Sequence, residues 1–144
     1  MIIADNDNQD IYRWLCNTLA MKVASTLTMG VVDEKNDLVA AIAYFKKGQV
    51  CWITAAAKNG SWCKPQTLSE LLRIPFELLK CKIAKFETSH KNKKANRFCK
   101  GIGCVREGLL RYERTDGTHN VIWSLTLKEI SKKGWYRKNG FKQS

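Results

Sequence analysis

The sequence predicts a single α/β domain, a mixed sheet layered with helices on both faces. Three observations carry this expectation. Apolar residues recur at helical spacing in some stretches and in short dense runs bounded by turn residues in others. Along the chain these segments read helix, three strands, helix, strand, helix, two strands, an order that suits layered packing. The 144 residues, 44% of them hydrophobic, can bury one sizeable core, and no repeat, low-complexity tract or Pro/Gly/Ser linker divides them.

Each element has its own warrant. Asp10 is a cap for a helix running through Tyr12, Trp14, Leu15, Leu19 and Met21. Residues 26–33 read as a strand, 34–37 as a polar turn, and 38–44 as the return strand of a hairpin. After a turn around Gly48, residues 50–57 form the most apolar strand, which belongs in the middle of the sheet. A turn-rich loop over 58–64 leads to Pro65, a residue suited to the first turn of a helix. Leu68, Leu71, Leu72, Phe76 and Leu79 give that helix its apolar face, and Pro75 inside the pattern predicts a kink or a new start. A short strand over 82–88 precedes a helix over 90–99, which Gly101 and Gly103 end. Residues 104–114 and 120–127, joined through an Asp116-Gly117 turn, make a closing hairpin. The domain is expected to span 1–130, with 131–144 as a basic aromatic tail.

Composition narrows the function classes. No run approaches the roughly 18 to 20 apolar residues that cross a bilayer, and residues 1–10 are polar and acidic, the reverse of a secretory signal. A cytoplasmic monomer or homodimer with no membrane partner is expected. Six cysteines lack any C-x-x-C pair and read as reduced thiols; with His90 and His119 as the only histidines, no metal is expected. The excess of 25 Lys and Arg over 13 Asp and Glu, a formal charge of +12, attracts nucleic acid, acidic proteins or a phosphorylated cofactor.

The informative stretch is 92–108. Asn92, Ala95, Phe98, Ile102-Gly103-Cys104 and Glu107-Gly108 stand at the spacing of a family signature. That signature is Asn, two residues, Ala or Ser, two residues, an apolar residue, then Leu-Gly-Phe and a nearby Glu-Gly. The chain thus resembles the GNAT (GCN5-related N-acetyltransferase) superfamily over about residues 10 to 130. Within it, the chain is similar to small members found in tailed phages and to the ribosomal-protein Nα-acetyltransferase type.

The resemblance implies a mostly antiparallel sheet with a central V-shaped splay, acetyl-CoA as cofactor and an amine as acceptor. The pantetheine arm would pair with free backbone at about 53–57, where Ala55, Ala56 and Ala57 leave room. The pyrophosphate would sit over the helix starting near Pro65, beside Gly60, Trp62, Lys64 and Gln66. Asn92 matches the family's cofactor-contacting Asn, and Lys94 and Arg97 would favour the adenosine phosphates. Three positions depart from the pattern. The Gln/Arg-x-x-Gly-x-Gly/Ala phosphate loop is absent, Cys99 stands where many members carry a Tyr acid, and the third strand has no carboxylate.

Each candidate catalytic group also has a plainer reading. Cys99 can protonate a departing thiolate or be a packed thiol; His90 can be a base or a surface histidine; Glu107 can orient an amine or hold a salt bridge. Trp62 can cover the entrance or pack against the first helix. In the tail, Lys132, Lys133, Arg137 and Lys138 alternate with Trp135 and other aromatics. Cations draw phosphates and aromatics stack on unpaired bases, so a nucleic-acid-binding or nucleic-acid-modifying protein on the same scaffold is the alternative function.

Overall fold

The computed structural model describes residues 1–133 and Tyr136. Seven strands form one sheet: β1 (Ile2–Ala4), β2 (Leu27–Val32), β3 (Leu38–Lys47), β4 (Val50–Ala57), β5 (Ile83–Ser89), β6 (Val105–Leu110) and β7 (Asn120–Thr126), in the order β1-β2-β3-β4-β5-β7-β6. All neighbouring pairs are antiparallel except β4 with β5, which is parallel. The expected mixed sheet with helices on both faces is therefore the observed fold.

α1 (Asp10–Leu19) lies on one face, where Ile11 and Leu15 pack with Ala41 and Ala43 of β3. A Cβ on Gly30 would stand 2.8 Å from Leu38 Cδ1 and 2.9 Å from Ile11 Cδ1, so this glycine lets the helix approach the sheet. The other face carries α2 (Pro65–Arg73), α3 (Lys93–Ile102) and the short α4 (Leu127–Ile130) over the main core, which includes Tyr44, Cys51, Ala84, Trp123 and Leu125.

Some expectations need correction. Asp10 does not cap α1: Gln9 is the N-cap residue, in the left-handed region, and the Asp5 carboxylate accepts from the Ile11 and Tyr12 amides. At Pro75 the expected break takes the form of a change of helix type: α2 gives way to a π-helical turn, Ile74–Leu78. Proline cannot donate to the carbonyl four residues back, and the Tyr44 hydroxyl serves that Leu71 carbonyl instead, at 2.7 Å. β1 and α4 were not expected. The first is a three-residue edge strand, and the second is set by a capping box of Thr126 and Glu129. α3 starts and ends three residues later than its sequence pattern suggests, between an Asn92 cap and Gly103 at φ 109°. Tyr136 is buried in the main core, so the chain beyond residue 130 packs onto the domain at that point.

Candidate active site

Parallel β4 and β5 part company halfway along their length. Their register runs from Val50 opposite Ile83 to Ile53 opposite Phe86 and stops there, although β4 continues to Ala57 and β5 to Ser89. Beyond that point β4 keeps β3 as its neighbour, and β5 keeps β7. Among the described residues, Thr54 to Ala57 therefore present a backbone edge with no strand beside it on the β5 side, in the interior of a sheet. The parting begins at Thr54, one residue later than the sequence suggested.

Strand alternation assigns the side chains around this V to two faces. Cys51, Ile53, Ala84 and Phe86 point toward α2 and α3, and so do Ala55 and Ala57 further along β4. The last two are exposed in the middle of a sheet face, with no side chain of the described residues covering them. Ala56 turns the other way and packs against the α1 cluster, so only its backbone can face an occupant of the cleft.

The entrance on the helix side is built by α2 and the loop before it. Gly60–Trp62 is a single 3₁₀ turn and Pro65 occupies the start of α2. Lys64 caps α2 without a side-chain bond, and the first turn contains no acid. The Gln66 and Thr67 amides thus belong to a helix end that favours an anion, with Lys64 exposed beside them. Trp62 does not pack on α1. Its ring lies 6.3 Å from that of Phe98 on α3, tilted by 43°, at the edge of the main core.

Lys94 stands one turn before Phe98 on α3 and lines no pocket with Arg97, which faces one together with Lys100 and Arg106. Asn92 is the α3 N-cap; its Oδ1 accepts from the Ala95 amide at 3.1 Å, which accounts for the Asn-x-x-Ala spacing.

The structure gives the candidate catalytic residues different surroundings. Cys99 is 2% exposed and faces the core. Its thiol bonds that of Cys104; this contact holds Cys99 below the usual thiol range against the opposing effect of burial, and pushes Cys104 well above it. The helical face that carries Cys99 is the buried one. His90 is likewise committed elsewhere. Its amide donates to the His119 carbonyl, its Nδ1 accepts from the His119 amide, both at 2.9 Å, and the two rings stack. An accepting Nδ1 places the proton of the neutral ring on Nε2, which makes it a donor rather than a base. Glu107 pairs with Lys85 at 3.1 Å; bonds from Ser124 and then Lys85 hold its carboxyl below the usual range.

A further carboxylate stands at the V. Glu87 follows Phe86, the last β5 residue beside β4, and lies opposite Ile122 on the α1 face. It is exposed and takes part in no ion pair or hydrogen bond among the described residues. Alternation in 83–89 puts Lys85 and Glu87 on one face, but only the register shows that β4 leaves just before Glu87. At the tail, Lys132 is exposed and Lys133 lies over Gly103. Trp135, Arg137 and Lys138 lie outside the described residues.

This arrangement is the fold of the GNAT-type N-acetyltransferases. A mutant form of the spermidine/spermine N-acetyltransferase SpeG from Vibrio cholerae superposes with a TM-score of 0.73 at 13% identity, over 93% of this chain and 98% of that one. The same enzyme in a dodecameric, intermediate state gives 0.73 at 13% identity, over 92% and 94% of the two chains. A chimera of the Vibrio cholerae enzyme and hSSAT gives 0.73 at 12%, over 90% and 98%. No family model matches the chain. No curated protein matches it in sequence.

Proposed function

We propose that the protein is an acyl-CoA-dependent N-acyltransferase that moves an acetyl group from acetyl-CoA directly to an amine. One observation carries the reading: the bare edge of β4 from Thr54 to Ala57, floored by exposed Ala55 and Ala57, in the gap between α2 and α3. An extended chain of amides fits such an edge as an added strand would, and an anion fits the acid-free start of α2. The pantetheine arm of acetyl-CoA fits the first feature and its pyrophosphate the second. Thr54 to Ala57 would hold the amides, while the Gln66 and Thr67 amides with Lys64 would face the phosphates. When bound, the cofactor supplies the activated acetyl thioester.

The protein's own chemistry is on the α1 side of the gap. Glu87 is placed to bind a protonated amine at the mouth of the V and to take its proton. Lys85, paired with Glu107, lies 5.8 Å from the centre of the Trp52 ring and leaves Glu87 as the unneutralised carboxylate there. His90, whose Nδ1 accepts from the His119 amide, has no part as a base in this reading. The net charge of +12 disfavours a polycationic acceptor and favours an amine carried on a neutral or acidic molecule.

Calorimetry with acetyl-CoA and an acetyl-transfer screen over small amines, peptide N-termini and lysine peptides test this reading. Wild type binds acetyl-CoA and acetylates at least one of these. Glu87→Gln binds it equally well but loses about 10²- to 10³-fold in kcat/KM for the amine. Acetyl-CoA binding without transfer to any amine would refute the reading; a wild-type rate for Glu87→Gln would remove Glu87 from it.

A further inference from the structure

A second pocket, of about 330 Å³, lies across α3 from the cleft, between that helix and the β6–β7 hairpin. Its back wall is fixed by Asn96. The Asn96 Oδ1 accepts from Thr88 Oγ1 and Trp123 Nε1, and its Nδ2 donates to the Ser89 carbonyl. The His90–His119 pairing fixes one side. Val121 and Trp123 supply an apolar floor.

The rim is cationic. Arg97 and Lys100 project from one flank of α3, and Arg106 comes from β6. A bulge in β6 aims Arg106. The ladder sets Arg106 opposite Trp123 and Gly108 opposite Ile122, so the extra residue, Glu107, turns to the other face and meets Lys85. The hairpin thereby delivers a cation to the pocket and keeps its acid away. Among the described residues, Arg97, Lys100 and Arg106 have no ion pair or hydrogen bond, and no acid lines the pocket. Like charges gathered in this way repel one another, so folding alone does not account for the cluster.

We infer that this pocket binds a nucleoside phosphate: Arg97, Lys100 and Arg106 hold the phosphate, and the base lies over Val121 and Trp123. The volume is at the lower end of the roughly 300–1,000 Å³ typical of small-molecule sites, too large for a bare anion. Guanidinium forks from two elements suit a phosphate dianion. The His90 Nε2–H adds a donor beside them. The site is separate from the cleft, since none of its lining residues belongs to the bare edge of β4 or to α2. It therefore does not depend on the transferase reading.

AMP and inorganic phosphate, titrated calorimetrically with and without saturating acetyl-CoA, test the inference. The same titrations are run on an Arg97→Gln/Arg106→Gln variant whose thermal midpoint verifies folding. The expected result is AMP binding that acetyl-CoA does not displace, that exceeds phosphate binding, and that weakens at least about ten-fold in the variant. AMP affinity unchanged in the folded variant, or no AMP binding at millimolar concentration, would overturn the site. Displacement by acetyl-CoA would assign the nucleotide to the cofactor cleft and overturn a separate site. Equal affinity for phosphate and AMP would overturn the nucleoside part. Should the double variant unfold, Lys100→Gln is read against the same outcomes.

Discussion

Tyr44 is 1% exposed beneath α2, and its hydroxyl meets the one carbonyl that Pro75 leaves without its helical donor. Burial raises its pKa well above the usual phenol range, so the hydroxyl keeps its proton and remains a donor. Removing that donor strands a buried carbonyl, which costs about 1–3 kcal/mol. Tyr44→Phe should therefore destabilise the protein by that amount in urea denaturation. With Pro75→Ala in the background, the Leu71 carbonyl regains a backbone donor and the cost of Tyr44→Phe should fall by at least half. Equal costs in both backgrounds would break the link between the two residues. The proline was visible in the sequence as a disturbance of the helix. Its outcome was not, because the compensating hydroxyl comes from a strand 27 residues away.

At the level of elements, legibility follows the strength of the local signal. β4 was readable to the residue because a dense apolar run ends between turns, and α2 was readable from Pro65 onward. β1 escaped notice because three residues cannot show a period. α3 is a case where a motif spacing and a folding device coincide. Asn92, three residues before Ala95, is what an N-cap requires, and the structure uses it in that way. Asn92→Ala should cost about 0.5–2 kcal/mol. Asn92→Asp keeps the accepting oxygen and should restore most of it while adding a negative charge at the cleft side of α3. If Asn92 also meets the cofactor phosphates, Asn92→Asp will be stable yet weakened in acetyl-CoA binding. If it only caps the helix, stability and binding will both return. Urea denaturation and calorimetry on the same samples separate the two roles.

For the whole molecule, the decisive feature is one that the residue pattern does not encode locally. Val50 to Ala57 reads as a continuous strand, and so it is. Where its parallel neighbour departs depends on β5 being drawn toward β7 while β4 stays with β3. Nor did the sequence reveal which cations share a side of α3, since that needs the positions of Trp62 and Arg106. The resemblance in 92–108 anticipated the fold, while the burial of Cys99, the His90–His119 pairing and the exposure of Glu87 needed the structure. The same geometry allows the cleft to be tested without disturbing the core. Ala55 is exposed and points between α2 and α3, so a larger side chain there meets no packed neighbour, and Ala55→Phe should change stability by no more than about 0.5 kcal/mol. The ring would occupy the space that the pantetheine arm requires, and acetyl-CoA affinity should fall by at least about ten-fold, with loss of the cofactor's upward shift in the thermal midpoint. A destabilised variant would mean that Ala55 is packed rather than bare. A stable variant with undiminished binding would place the cofactor away from the open edge of β4.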